Sequence, residues 1–417
     1  MKVVLVNTYD NAGGAAKAAF RLHKGLQDAG VDTKMLVQTK TTDDPAVISP
    51  ISRVQRGIAM LRPALDEIPL FPYRNRETPI FSPQWIRDSV PEKISDLDPD
   101  VVNLHWVCHG LLQIESMARI RKAIVWTMHD SWPFTGGCHL PFDCKRYTDH
   151  CGDCPQLKSG KMNDLSNRVW ERKANAWRGI DITLIAPSRW IAGCARESSL
   201  FRNSRIEVIP NGLDLRSYKP IDKMHARSLL NLPEDKHLLL FGTPVSLEDR
   251  NKGFHFLVSA LDKIRHYGWN ERMDLVVFGS SHMANREIPG FKVHMLGKLH
   301  DDPTLALAYA AADAFIAPSI QENLPNSVLE SIACGTPAIA FRIGGMMDLI
   351  EHRINGYLAE PFNIDDMAMG IRWIMEDGER HRDLCGCCRE KAVREFDVGI
   401  QARRYISLFR LLHPDAR

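Results

Sequence analysis

Two glutamates, Glu322 and Glu330, are separated by seven residues in the run Pro318-Ser319-Ile320-Gln321-Glu322-Asn323-Leu324-Pro325-Asn326-Ser327-Val328-Leu329-Glu330. Pro325 and Asn326 suit the start of a helix, and Gly335 with Pro337 suits its end. Glu322 then falls in the loop before the helix and Glu330 about one turn inside it. Backbone N–H groups at a helix start attract anions. A diphosphate held there would leave one carboxylate near each end of a nucleotide sugar, where each could accept hydrogen bonds from vicinal hydroxyls. The spacing alone suits a solvated surface helix with two ordinary glutamates equally well.

Other residues invite chemistry in the same way. Gly13 and Gly14 follow the first apolar run and precede a helical pattern. Backbone can approach a ligand closely there, beside a helix N-terminus; the alternative is a tight structural turn. The run lacks G-x-G-x-x-G, which argues against an NAD-dependent oxidoreductase. His129 ends a strand beside Asp130, and a polar residue at that end of a strand points at the ligand crevice of an open α/β sheet. A core histidine bonded to backbone is the alternative there, and it is the preferred reading for His105, which also ends a strand. Cys138, Cys144, Cys151 and Cys154 form C-x5-C-x6-C-x2-C. That spacing fits a closed structural zinc site, with His139 and His150 as substitute ligands, and fits four reduced thiols as well. Cys385, Cys387 and Cys388 read as thiols on a helix face.

Positioning these groups requires alternating strands and helices. Strands are expected at Lys2–Val6, Val31–Val37, Val101–His105, Ile124–His129, Thr183–Pro187 and Ile206–Ile209. A second series is expected at Leu238–Phe241, Leu275–Gly279, Val293–Leu296, Ala314–Ala317 and Ala338–Phe341, with helices at Phe254–Arg265 and Ile400–Leu412. Residues 40–98, rich in Pro and Arg, read as less regular, and 131–157 as irregular. The pattern implies an α/β fold of two Rossmann-like domains. Their limits are placed at 1–212, carrying the Cys-rich loop, and 213–396, with a C-terminal helix at 397–417 packing back on the first domain. Ligands are expected in the cleft such domains leave.

The 417 residues are 44% hydrophobic and 25% charged, with a formal net charge of +2, an ordinary globular composition that gives no reason to expect nucleic acid. No apolar run reaches the roughly 18 residues of a membrane-spanning helix. The N-terminal apolar run is too short for a secretory signal, so a cytoplasmic location is expected, with the ten cysteines as thiols or metal ligands.

The glutamate segment, followed by Ala333-Cys334-Gly335-Thr336-Pro337, Ile343-Gly344-Gly345 and Asn355-Gly356-Tyr357-Leu358, resembles the retaining GT-B glycosyltransferases of family 4. It is similar in particular to bacterial polysaccharide-assembly members of the colanic-acid type. Trp126-Thr127-Met128-His129-Asp130 and Val208-Ile209-Pro210-Asn211-Gly212-Leu213-Asp214 extend the likeness over nearly the whole chain. The resemblance implies transfer of a sugar from a nucleoside-diphosphate sugar to an acceptor hydroxyl, with retention of configuration and no catalytic metal. It implies that Glu322 contacts the transferred sugar and Glu330 the ribose. Asn323 and Leu324 would present backbone, Lys252 would neutralise the leaving diphosphate, and His129 would contact a donor hydroxyl. Gly13 and Gly14 would lie beside the phosphates and acceptor. The family's Gly-Arg pair is missing from Phe241-Gly242-Thr243-Pro244, and Arg250 is the substitute.

Basic residues interspersed with apolar ones at 53–76 and 158–178 suggest docking on an anionic membrane at the inner face of the plasma membrane; solvated surface is the alternative. The resemblance adds a glycan or lipid-linked glycan acceptor and a place in surface-polysaccharide synthesis. Competing functions are a GT-B-type nucleotide-sugar epimerase or hydrolase, and a non-catalytic nucleotide-sugar-binding protein.

Overall fold

The computed structural model describes residues 1–77, 79–242, 249–279, 288 and 290–413. The chain forms two compact units, Met1–Gly212 with the segment from Gly399 onward, and Leu213–Val398.

The first unit is built on β1 (Lys2–Tyr9), β2 (Asp32–Thr39), β3 (Val47–Ile48), β4 (Val101–Leu104), β5 (Ala123–Thr127), β6 (Ile182–Ala186) and β7 (Ile206–Val208). They make a seven-stranded sheet in the order β3-β2-β1-β4-β5-β6-β7, every pair parallel. Val3, Val4, Leu5 and Val6 are all fully buried, as befits a strand covered on both faces. The helix Val398–Leu412 lends Ala402, Tyr405 and Phe409 to the core formed with Leu5, Val37 and Val125. Its Tyr405 hydroxyl hydrogen-bonds Thr127 Oγ1 at 3.0 Å.

The second unit holds β8 (His237–Gly242), β9 (Met273–Phe278), β10 (Val293–Gly297), β11 (Ala314–Ala317), β12 (Ala338–Phe341) and β13 (Gly356–Ala359). They form a six-stranded parallel sheet in the order β10-β9-β8-β11-β12-β13. Both units are therefore doubly wound α/β sheets, as the alternating pattern implied. In each, the strand order reverses once, between β1 and β4 in the first and between β8 and β11 in the second. Loops leaving the carboxyl ends of such strands form the ligand crevice of this architecture. Among the described residues, no helix is long and apolar enough to cross a membrane.

Candidate functional site

In the second unit the two strands at the reversal point carry the loops of interest. Lys252 follows β8, and Glu322 follows β11 after Pro318. The two side chains meet, Lys252 Nζ donating to Glu322 Oε1 at 2.6 Å. Burial works against the ammonium's charge, but Glu322 outweighs it, and with help from Asp249 holds Lys252 above its ordinary pKa. Lys252 is thus a fixed cation throughout the neutral range.

Backbone contacts on both sides fix this pair. Asn251 accepts from the Gln321 N–H at 3.1 Å and donates to the Gln321 carbonyl at 3.1 Å, while its own carbonyl accepts from Ile320 N–H at 2.8 Å. Opposite, Gly345 N–H donates to the Glu322 carbonyl at 3.0 Å. Gly344 has φ of +49°, and a Cβ there would lie 2.1 Å from that same carbonyl. Gly253 has φ of +69°, and a Cβ there would lie 1.9 Å from the Pro318 carbonyl. Only glycine fits at either position. Asn251 escaped the sequence reading as a site residue, its only signal being its place beside Lys252.

The helix Asn326–Ala333 starts behind Pro325, whose side chain supplies no cap. Asn323 is partly exposed in the preceding loop, and Leu324 is buried in the core. Glu330 is 4% exposed, and its Oε2 accepts from the Tyr309 hydroxyl at 3.0 Å. The spacing that suggested a helix-borne carboxylate is met, but this carboxylate is set deep and one oxygen is engaged. Arg250 is exposed in the turn Arg250–Lys252. Thr243 and Pro244, where the Gly-Arg pair is missing, lie outside the described residues.

In the first unit, Gly13 follows β1 with φ of +91°, and open space surrounds its missing Cβ. Gly14 begins the helix Gly14–Asp28. His129 lies just beyond β5. Its Nε2 is 2.9 Å from Nδ1 of His105, just beyond β4, and the rings stack with centroids 5.2 Å apart. One ring must donate and the other accept, which requires at least one to be neutral. Burial depresses His129 to about 4, against the pull of Asp130, and places His105 well below its ordinary value. His105 is buried, as its core reading required, yet it is also the ring that orients His129.

Asp130 faces elsewhere. Its Oδ2 accepts from Trp106 Nε1 at 2.8 Å and lies 2.6 Å from His139 Nδ1, while Oδ1 accepts from Trp132 N–H at 2.8 Å. Nε2 of His139 is 2.9 Å from Ser82 Oγ. Both ring nitrogens of His139 have hydrogen-bond partners in this arrangement. Cys138, Cys151 and Cys154 are buried and Cys144 partly so, all as free thiols. Burial pushes Cys151 up to about 12 and raises Cys138 and Cys154 as well. Among the described residues, no group of three or more His, Cys, Asp or Glu side chains is arranged to hold a metal ion.

The basic run at 158–178 divides between interior and surface. Lys173 is fully buried, donating to the carbonyls of Trp132 and Thr135 over the face of Trp132. Arg172 pairs with Glu115 and Lys158 with Glu77. Lys173 thus ties the 131–157 loop to its helix, while Lys161, Arg168 and Arg178 are exposed.

Comparison with known proteins follows the same division. Residues 12–217 match the family described as Glycosyltransferase Family 4, and residues 236–377 match Glycosyl transferases group 1. An uncharacterized glycosyltransferase of Methanocaldococcus jannaschii is 29% identical over 58% of this chain, which spans only 61% of that relative. A D-inositol 3-phosphate glycosyltransferase of Pseudarthrobacter chlorophenolicus is 24% identical over 95% of this chain and 90% of its own length. The structure of sucrose-phosphate synthase from Thermosynechococcus elongatus superposes with a TM-score of 0.70 at 19% identity, covering all of both chains.

Proposed function

Because the chain is a GT-B glycosyltransferase of the group 1, family-4-like type, we propose that it transfers a hexosyl group from a nucleoside-diphosphate sugar to an acceptor hydroxyl, with retention of anomeric configuration. The observation that carries this reading is the Lys252–Glu322 pair at the strand reversal of the second sheet, ahead of the Asn326–Ala333 helix. A fixed ammonium there stabilises charge on a departing diphosphate, and Glu322 accepts from sugar hydroxyls once the donor's phosphates take up Lys252. Asn323 and Leu324 present backbone to the donor, Arg250 adds positive charge, and Glu330, held by Tyr309, receives the ribose. His129, neutral and turned by His105, serves the same transfer as a hydrogen-bonding group, with Gly13 and Gly14 leaving room beside the phosphates and acceptor. The departing phosphate itself assists same-face attack, and the transfer requires no metal. We take the acceptor to be a lipid-linked glycan intermediate in surface-polysaccharide synthesis.

Thermal unfolding in the presence of UDP-, GDP- and ADP-sugars is the direct test. One nucleotide class should raise the midpoint, and that raise should be lost in Glu330→Ala. Product analysis with an added acceptor should then show a new glycoside whose anomeric configuration matches the donor's. Free sugar or an epimerised donor alone, formed equally with and without acceptor, would point to the hydrolase or epimerase instead.

The zinc reading of Cys138, Cys144, Cys151 and Cys154 also stands as a proposal with its own check. Occupancy would need the 138–154 loop to rearrange from its described placement. Metal analysis should then find about one zinc per chain at tetrahedral stoichiometry, lowered in Cys151→Ser. Metal-free protein of full stability would leave four packed thiols.

A further inference from the structure

The helix Arg53–Asp66 presents its apolar side to solvent. Ser52 and Gln55 close a reciprocal cap at its start, so the helix is locally well formed. Its inner face is narrow. Ala59 and Asp66 are its buried residues, and Arg62 turns inward to donate to the carbonyls of Gly110 and Arg87. On the outer face Val54, Ile58, Leu61 and Leu65 recur at i, i+4, i+7 and i+11, a single stripe at helical spacing. Their exposures are 73%, 52%, 61% and 41%. Ile51 extends the stripe on one side, and Phe71, 71% exposed, lies beyond the other end. A stripe of this extent is not left in water without a partner.

Charge decides which partner. Residues 45–65 contain no Asp or Glu; Asp66 is buried, and Glu67 at the helix end is exposed 3.8 Å from Arg76. Arg53 and Arg56 are exposed on the helix flank beside the apolar stripe, and Arg74 is exposed further on. An apolar stripe flanked by arginines, with no exposed acid along Arg53–Asp66 itself, matches the boundary between acyl chains and anionic headgroups. A protein partner would leave the single sign of charge along the helix unexplained.

We propose that the Arg53–Asp66 helix docks this chain on an anionic lipid surface, with the Val54–Ile58–Leu61–Leu65 stripe entering the headgroup boundary and Arg53 and Arg56 pairing with lipid phosphates. The proposal goes beyond the transfer reaction and stands or falls separately from it. The full chain should sediment with mixed phosphatidylcholine–phosphatidylglycerol vesicles and remain in the supernatant with phosphatidylcholine alone, and salt should weaken the binding. Arg53→Glu with Arg56→Glu should lower vesicle partition at least about tenfold, since each basic residue near the surface contributes separately. Ile58→Ser with Leu61→Ser should also lower it, with the thermal midpoint and nucleotide-sugar response unchanged. Equal recovery in the supernatant under all lipid and salt conditions would overturn the proposal. So would binding that survives both double variants. A dimer seen by light scattering in wild type and lost in Ile58→Ser/Leu61→Ser would assign the face to a second copy of the chain.

Discussion

Lys252→Ala and Glu322→Ala are each expected to lower turnover at least about 100-fold in protein that still folds, the scale of losing one transition-state contact. The pair's geometry sharpens this expectation. Lys252 and Glu322 share a 2.6 Å hydrogen bond, so neither acts alone. Removing Glu322 leaves the ammonium without the partner that holds it in place. Removing Lys252 leaves a partly buried carboxylate facing the incoming phosphates. The double variant should therefore fall little further than either single one, since contacting residues are not additive. Steady-state rates of the three variants, with folding checked by circular dichroism, provide the measurement. Near-normal turnover in both single variants would sink the assignment, and fully multiplicative losses would show that the pair does not act as a unit.

Stability of the first unit is expected to fall steeply as pH drops from about 6.5 toward 4, where unperturbed histidines protonate. Burial holds His23, His109 and His129 at about 4 and His105 well below its ordinary value. Folded, these rings stay neutral through a range in which the unfolded chain protonates them. Depressed folded values mean that their stabilisation is complete above the unfolded pKa and is lost as pH falls toward the folded one. His23 shows the local reason. Its Nδ1 bonds Thr33 Oγ1 at 2.8 Å, while its Nε2 is buried without a hydrogen-bond partner among the described residues. A shift of this size on so buried a ring is worth about 3 kcal/mol. Asp66 opposes the trend, because burial raises it to about 7 and its proton is favoured in the folded state. The balance remains on the histidine side.

Seven of the nine tryptophans lie between Trp85 and Trp190, so intrinsic fluorescence reports chiefly on this unit. Denaturant midpoints followed by fluorescence should decline between pH 7 and 4.5, and His23→Gln should flatten the decline by about one proton. A midpoint independent of pH over this range would show that the rings titrate normally.

Much of the fold is legible in the sequence because burial leaves clear periods. The helix Phe254–Arg265 and the strands Ala314–Ala317 and Ala338–Phe341 have the limits that their apolar patterns imply. β13 carries little strand signal, because Asn355-Gly356 resembles a turn and the strand is only four residues long. The helix Arg53–Asp66 was hidden for a different reason. It carries Pro63, and its apolar residues face outward, so its pattern does not mark a core. In the site, residue types could suggest Glu322 and Lys252, but spacing over seventy positions could not show that they touch. Nor could it show the grip of Asn251 and Gly345 on the intervening loop, which is made largely by backbone groups. His105 reads as core in the sequence and is buried; its pairing with His129 depends on β4 and β5 lying side by side, which only topology reveals.

The helix Val398–Leu412 has a consequence for how the chain comes off the ribosome. Tyr405 and Phe409 complete a core whose other members, Val3 and Leu5, emerge roughly four hundred residues earlier. One face of the first sheet, covered until then only in part by the helix Gly14–Asp28, must therefore wait while the whole second unit is synthesised. Contacts this distant in sequence form late, and a nascent chain holding an unfinished apolar face is open to aggregation and to holdase chaperones. A late frameshift removing residues after Val398 would injure the half of the protein made first, while leaving the half just completed intact.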